Sequence, residues 1–248
     1  MSLAALKTDD TIQNEKDSIG GGAGTVESGL YNSTVKMAYL GESTGGAMSL
    51  TLHLDTDGGE FRHTTYITSG KAKGQKNYYE KDGEKNYLPG FNVANSLCLL
   101  AAQKEISEMA TEEKVVKIYD FTAKEEVPTT VPVLTELLGQ PIIAGIIKQT
   151  VDKNKNVAAE GEPKNYQPTG ETRDENEIDK FFRASDGLTT AEIRAGATES
   201  SFRDTWGTKN TGVTRMRAKG AKASAGGPAQ TSGAFADAAA KPEKSIFG

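Results

Sequence analysis

The residues best suited to chemistry lie between Gly70 and Phe91, where lysines and tyrosines are interspersed. The stretch carries five lysines and three tyrosines: Lys71, Lys73, Lys76, Lys81 and Lys85, with Tyr78, Tyr79 and Tyr87. Lysine ammonium groups neutralise phosphates, and tyrosine rings offer flat faces for unstacked bases. The combination is typical of proteins that bind single-stranded nucleic acid without reading its sequence. The alternative is an exposed hairpin whose tyrosines pack on a sheet and whose lysines are simply solvated.

Residue types that would support catalysis or a cofactor are not arranged to do so. His53 and His63 are the only histidines, and neither has a partner carboxylate or second metal ligand nearby in the sequence. The acidic run from Asp55 to Glu60 lacks the twelve-residue spacing of a calcium loop, and no phosphate-loop pattern is present. Cys98, the single cysteine, lies in an apolar run and is expected to be a buried core residue. We therefore expect no catalytic residues, no metal and no cofactor.

Net charge argues against a nucleic-acid binder, but its distribution does not. The chain of 248 residues has a formal net charge of -5, and a typical nucleic-acid-binding domain is basic. Residues 203–222, however, contain six basic side chains against the single acidic residue Asp204. No secretory signal pattern and no apolar run of membrane-spanning length occurs, so we expect a soluble, cytoplasmic protein with no membrane partner.

Strands are predicted first along the chain, from apolar residues that alternate with polar ones. The segments from Thr34 to Leu40 and from Met48 to Leu54 alternate in this way, and a turn of Asp and Gly residues separates the second from a third strand, Glu60 to Thr68. The third strand places Arg62, Thr64 and Tyr66 on one face, which is suited to a ligand. The alternative is that Tyr66 packs beneath the loop that follows.

Further elements complete a small barrel. We expect a helix from Asn92 to about Met109, a strand from Val115 to Phe121, a short helix from Val131 to Leu138 and a closing strand from Pro141 to Val151. Five strands interrupted by a helix indicate a mainly β protein, a β-barrel with an inserted helix of the oligonucleotide/oligosaccharide-binding type (OB-fold).

The ends of the chain differ in composition from this barrel. We expect a flexible, disordered arm at 1–24, the OB-fold domain at 25–153, a polar extension at 154–222 and a long flexible tail at 223–248. The extension is expected to hold short helices, around Ile178 to Ala184 and from Thr190, and then a basic and aromatic segment with Trp206, Arg215 and Arg217. Trp206 either contacts nucleic acid or, with Phe202, docks a helix on the barrel. The apolar pair Ile246 and Phe247 in the tail is a candidate for capture by a partner protein, or an inert end.

The hairpin region resembles a known class of proteins. The segments KGQKNYY (residues 73–79), YLPGF (87–91) and NVANSLC (92–98) look like those of bacteriophage-encoded single-stranded DNA-binding proteins. The resemblance covers mainly residues 30–153. It implies an OB-fold, non-catalytic coating and protection of single strands during phage DNA replication, recombination and repair, and a C-terminal tail that recruits replication or recombination proteins. The tail departs from the family pattern, since Lys241, Glu243 and Lys244 leave no acidic run.

The sequence and the resemblance together predict a protein that binds single-stranded DNA without sequence readout, in the host cytoplasm if phage-encoded. Oligomerisation is left open. The candidate DNA contacts are Arg62, Tyr66, Lys71, Lys73, Lys76, Tyr78, Tyr79, Lys85, Tyr87, Phe91, Trp206, Arg215 and Arg217. The alternative is a phage structural or assembly protein whose barrel binds protein rather than DNA.

Overall fold

The computed structural model describes residues 24–120, 123–159 and 165–219. These residues form ten β-strands and three α-helices. The strands are β1 (Gly29–Glu42), β2 (Met48–Thr56), β3 (Gly59–Tyr66), β4 (Tyr78–Lys81), β5 (Glu84–Tyr87), β6 (Glu112–Asp120), β7 (Glu125–Val133), β8 (Pro141–Asn156), β9 (Tyr166–Arg183) and β10 (Thr214–Met216). The helices are α1 (Pro89–Ala102), α2 (Thr190–Arg194) and α3 (Phe202–Asn210). None of these helices is both long enough and apolar enough to cross a membrane.

Strands β1, β2 and β3 form an antiparallel meander, as their alternating sequence predicts. Leu50, Leu52 and Leu54 all point from β2 into the main core and are fully buried. The intervening residues Thr51 and His53 lie on the opposite face of the strand. The protein is therefore mainly β, with a large sheet that is antiparallel apart from one short strand.

The longest strands, β8 and β9, pair antiparallel from Ile142 with Arg183 to Asn156 with Tyr166. β1 occupies the other edge of β8 at residues 141–146, and β10 continues that edge in parallel at residues 148–150. β8 thus runs through the boundary expected at residue 153, and the same sheet extends on both sides of it.

The short helix expected around Ile178 to Ala184 is wrong, because residues 178–183 belong to β9 and Ala184 lies in the turn that follows. Ile178, Phe181 and Phe182 are all buried, and their spacing of three and four resembles one face of a helix. A β-bulge explains this spacing. Gly145 pairs with Lys180 and Ile146 pairs with Ile178, so Asp179 is an extra residue without a partner on β8.

Two other element boundaries differ from expectation. The helix predicted from Val131 to Leu138 is wrong: β7 continues to Val133 and a single 3-10 turn follows at Thr135–Leu137. Alternate residues Val131 and Val133 pack on Tyr39 of β1, and this burial favours the strand. α1 begins at Pro89 and ends at Ala102, since proline suits a first turn and Gln103 adopts a left-handed φ of 58°.

Helix α1 packs its apolar face into the main core with β3 and β9. Its buried residues are Ala94, Leu97, Cys98 and Leu100. Burial raises the pKa of the Cys98 thiol to about 12, so this cysteine is an unreactive core side chain, as its apolar neighbours predict. α1 thereby fixes the chain that precedes it, which is the lysine- and tyrosine-rich stretch.

Candidate nucleic-acid interface

Strands β4 and β5 form a hairpin that is a two-stranded sheet of its own. Asp82 and Gly83 make its turn with positive φ angles of 54° and 80°, the conformation that tight hairpin turns require and that an Asp-Gly pair favours. Tyr78 pairs with Tyr87 and Tyr79 pairs with Asn86. Because directly paired residues share a face, Tyr78 and Tyr87 lie on one side of the hairpin, and Tyr79 and Asn86 lie on the other.

The loop before the hairpin is held on the turn between β1 and β2. The Lys71 amide donates to the carbonyl oxygen of Gly45 (2.9 Å), and a Cβ on Gly70 would lie only 2.7 Å from that oxygen. The Lys71 ammonium lies 2.7 Å from the Glu42 carboxylate. Lys71 therefore contributes to anchoring the loop, and its charge is already neutralised by a neighbour.

The ring of Tyr78 makes cation–π contacts with two lysines. The Lys76 and Lys85 ammonium nitrogens lie 5.4 Å and 5.0 Å from the centre of the Tyr78 ring. Such cation–π contacts contribute about 0.5–1 kcal/mol each at exposed sites. Tyr78 therefore holds two cations in place, and its ring is less available to a base than the sequence alone suggests.

Four hairpin lysines have no acidic partner within the described part of the chain. No described carboxylate lies within 4.0 Å of the ammonium groups of Lys73, Lys76, Lys81 and Lys85. Five lysines elsewhere in the fold are paired with carboxylates: Lys36, Lys104, Lys114, Lys148 and Lys153. Other described lysines are unpaired as well, but the hairpin and its loop hold the densest group of them, four between residues 73 and 85, beside the hairpin's own acidic residues Glu80, Asp82 and Glu84.

Exposed aromatic rings lie beside these lysines. Tyr87 is 58% exposed and Tyr79 is 44% exposed. The Tyr87 and Phe91 ring centres are 5.0 Å apart with planes inclined by 31°, so Phe91 on α1 supports Tyr87 from behind the hairpin. Tyr79 and Tyr87 thus offer aromatic faces on the two opposite sides of the hairpin.

The outward face of β3 carries the other predicted contacts. The Arg62 guanidinium donates a 2.9 Å hydrogen bond to the Tyr39 hydroxyl, which fixes its direction across β2. His53 lies between them, and burial together with the Arg62 charge lowers its pKa. Tyr66, on the same face as Arg62, is 55% exposed. The ligand-facing alternative for Tyr66 therefore fits the structure better than packing beneath the loop.

A cleft of about 410 Å³ separates the hairpin from the large sheet. Tyr79 and Asn86 form its hairpin wall, the first two turns of α1 form a second wall, and residues 177–181 of β9 form the floor. A Cβ on Gly90 would lie 2.2 Å from the Tyr66 carbonyl oxygen, so glycine alone allows α1 to start directly against β3. This close approach sets the position of the hairpin and hence the width of the cleft.

The C-terminal basic segment is placed differently from the prediction. Trp206 is only 4% exposed and packs with Ile143, Ile147 and Phe182, so it offers no face to a base and the docking alternative is the one observed. Arg215 lies 3.4 Å from Asp179, and Arg217 lies 3.3 Å from Glu177. Of these predicted contacts only Arg217 reaches the cleft. Ile246 and Phe247 lie outside the described residues.

Several residues of this region were not identified from the sequence. Asn86, Asn92 and Lys180 all line the cleft. The Lys180 ammonium also lies 6.0 Å from the Phe202 ring centre, in the neighbouring groove toward α2. Asn86 stood within the lysine- and tyrosine-rich stretch, but nothing in the local sequence relates it to β9, some ninety residues away.

Within the described residues, no group of three or more His, Cys, Asp or Glu side chains is arranged to hold a metal ion. No known family, curated protein or solved structure matches the chain. We therefore infer a function from the residues and the geometry of the hairpin and the cleft.

Proposed function

We propose that the protein binds single-stranded DNA without reading its sequence, through the β4–β5 hairpin, its loop and the outward face of β3. The observation that carries the proposal is the set of four lysines without carboxylate partners, beside the exposed rings of Tyr79 and Tyr87.

The first step is electrostatic. Each phosphate neutralised by a lysine releases counterions, so that the logarithm of the binding constant falls with the logarithm of salt concentration by about 0.7 per contact for single strands. Four hairpin lysines would give a slope of about -3, and Arg62 adds a cation oriented by Tyr39. Lys71 contributes less to this slope because Glu42 already neutralises it.

The second step is stacking. An exposed ring contributes about 1–3 kcal/mol per stacked base, whichever base it is. The faces of duplex bases are occupied by their neighbours, so Tyr79 and Tyr87 favour single strands over duplexes. Sequence tolerance follows from the same chemistry, since every base has a flat face.

The order of the strands supports the same proposal. β1 pairs with β2 on one edge and with β7 and β8 on the other, and α1 follows β3. This order fits an OB-type barrel, in which the second and third strands and neighbouring loops bind oligonucleotides. Arg62 and Tyr66 on β3 and the hairpin that follows occupy that position.

The proposal is tested by the fluorescence anisotropy of labelled oligo-dT and of a matched duplex, titrated with the full chain at low and at physiological salt. We expect tight binding of oligo-dT, weaker binding of the duplex and a marked loss of affinity with added salt. Absence of binding at low salt would overturn the proposal. Self-association of the chain in that case would favour the assembly-protein alternative.

A further inference from the structure

The cleft under the hairpin differs chemically from the lysine-rich surface above it. Ile178 and Phe181 are buried in its floor, and the Tyr79 ring forms part of its wall. The side-chain amides of Asn86 and Asn92 line it without a hydrogen-bond partner among the described residues. An open cleft that offers an aromatic ring and unpaired amide groups can bind a flat molecule through stacking and hydrogen bonds.

The charges that line the cleft balance one another and do not select a phosphate. Glu177 and Asp179 line it together with Lys180 and Arg217, and the two carboxylates are paired with Arg217 (3.3 Å) and Arg215 (3.4 Å) respectively. Carboxylates can also accept hydrogen bonds from the amino groups of bases. The cleft therefore suits a flat, uncharged group with hydrogen-bonding edges, and the hairpin lysines suit the phosphates.

We propose that the cleft binds one nucleobase, stacked on Tyr79 with its edge on the amides of Asn86 and Asn92. Asn86 is directly paired with Tyr79 in the hairpin, so its amide lies beside that ring on the same face. An asparagine amide both donates and accepts, and it can therefore serve the edge of any base. The inference rests on the proposed function, because the base is taken to belong to the DNA strand that the hairpin lysines hold. A free nucleotide carries the same base, and binding of dTMP distinguishes the two sources.

The test is a scan with abasic sites. The shortest oligo-dT that binds with full affinity is prepared with one base removed at each position in turn, so that the strand keeps a single register. For the unaltered protein we expect one position at which removal weakens binding at least about fivefold more than at most others. In the Asn86→Ala/Asn92→Ala double variant this position-specific loss should become smaller, because the base there keeps its stacking on Tyr79 but has lost its hydrogen-bond partners.

Controls separate the possible failures. Asn154→Ala, an exposed asparagine on β8, should leave the scan unchanged. A uniform loss at every position, the same in both proteins, would overturn the inference while leaving DNA binding intact. A failure of the unmodified oligo-dT to bind would instead overturn the proposed function. A third outcome is a uniform scan together with binding of free dTMP that the double variant abolishes. This outcome would assign the cleft to free nucleotides and would overturn the inference that it binds a base of the strand.

Discussion

The indole nitrogen of Trp206 donates a 2.7 Å hydrogen bond to the carboxylate of Asp179, the residue that bulges from β9. The bulge directs this carboxylate towards α3, where it also lies 3.4 Å from Arg215. One bulged residue thus connects β9, α3 and β10. It also places the adjoining residues of β9 at the floor of the cleft.

The first prediction concerns Asp179 itself. In Asp179→Ala the buried indole N–H loses its acceptor, and we expect the free energy of unfolding to fall by about 1–3 kcal/mol. Asp179→Asn keeps an acceptor oxygen and should lose less. Urea unfolding of the full chain measures both. Glu113→Ala, which removes an exposed carboxylate on β6, is the control and should change stability by less than about 0.5 kcal/mol. Equal losses in the two alanine variants would contradict the role of the bulge.

Trp206 should report on α3 and not on bound DNA. Because it is the only tryptophan and is 4% exposed, we expect weak quenching of its fluorescence by acrylamide in the folded protein. Saturating oligo-dT should leave its emission intensity nearly unchanged, since no base can stack on the ring. Urea-unfolded protein provides the fully exposed reference. Strong quenching by oligo-dT under native conditions would show that α3 moves or that the strand reaches it.

Because of Glu192, we expect acid to destabilise the α2–α3 region. Partial desolvation of its carboxylate raises the pKa, but hydrogen bonds from the backbone amides of Thr189, Phe202 and Ser201 outweigh this effect and lower the pKa to about 2. A lowered folded-state pKa stabilises the fold above the ordinary value of 4.5, and this contribution is lost as pH falls toward 2.

Glu192→Ala should therefore unfold more readily at neutral pH, by about 1–2 kcal/mol as for a lost helix cap, and its stability should fall less steeply between about pH 4.5 and 2. Thermal unfolding across that pH range is the measurement. Glu199→Ala, an exposed glutamate nearby, should keep the slope of the unaltered chain. If Glu192→Ala leaves the dependence of stability on pH unchanged, the capping role of Glu192 is contradicted.

The sequence predicts those elements that depend on local contacts or on a strictly periodic burial of side chains. The alternation of Leu50, Leu52 and Leu54 suffices for β2, and Thr189 with Glu192 starts α2 near where Thr190 indicates. The end of β9 is predicted as a helix because a bulge at Asp179 gives its buried residues the spacing of a helix, and the polar, mostly exposed first part of β9 shows no apolar alternation. In an unbulged strand Ile178 and Phe181 would face opposite sides.

The candidate interface likewise contains some features that the sequence predicts and others that it does not. The lysines and tyrosines that supply its chemistry are contiguous in the sequence, so their association was predictable. The partners of those residues were not predictable from the local sequence. Glu42 on β1 neutralises Lys71, and residues 177–181 of β9 form the floor of the cleft. Such contacts depend on tertiary packing and leave no periodic signal. The same applies to Trp206, whose burial depends on Ile143 and Ile147 of β8.

Tyr87 should contribute more to DNA affinity by stacking than any other hairpin tyrosine on its face, because the Tyr78 ring is engaged by Lys76 and Lys85. We expect Tyr87→Ala to weaken oligo-dT binding at least about fivefold, the lower end for one stacked base. Tyr166→Ala is a matched control, since Tyr166 is equally 58% exposed but lies at the far end of β9. Equal effects of the two substitutions would contradict stacking on the hairpin. Circular dichroism of each variant checks that the fold is retained.

The hairpin lysines should determine the salt dependence of binding. Two variants with the same change in net charge make the comparison. The test variant replaces the hairpin lysines by glutamine: Lys73, Lys76, Lys81 and Lys85. The control variant replaces lysines that already have carboxylate partners: Lys36, Lys104, Lys114 and Lys153.

If the hairpin holds the phosphates, the test variant should bind oligo-dT weakly, and the slope of log affinity against log salt should become shallower by about 3. The control variant should keep most of the original slope, because its lysines are compensated within the fold and remote from the hairpin loop. Anisotropy titrations at several salt concentrations give both slopes. Similar losses in the two variants would mean that net charge alone governs binding and would contradict a localised interface. The comparison therefore tests whether the uncompensated charge on the hairpin, and not the overall charge of the chain, attracts the strand.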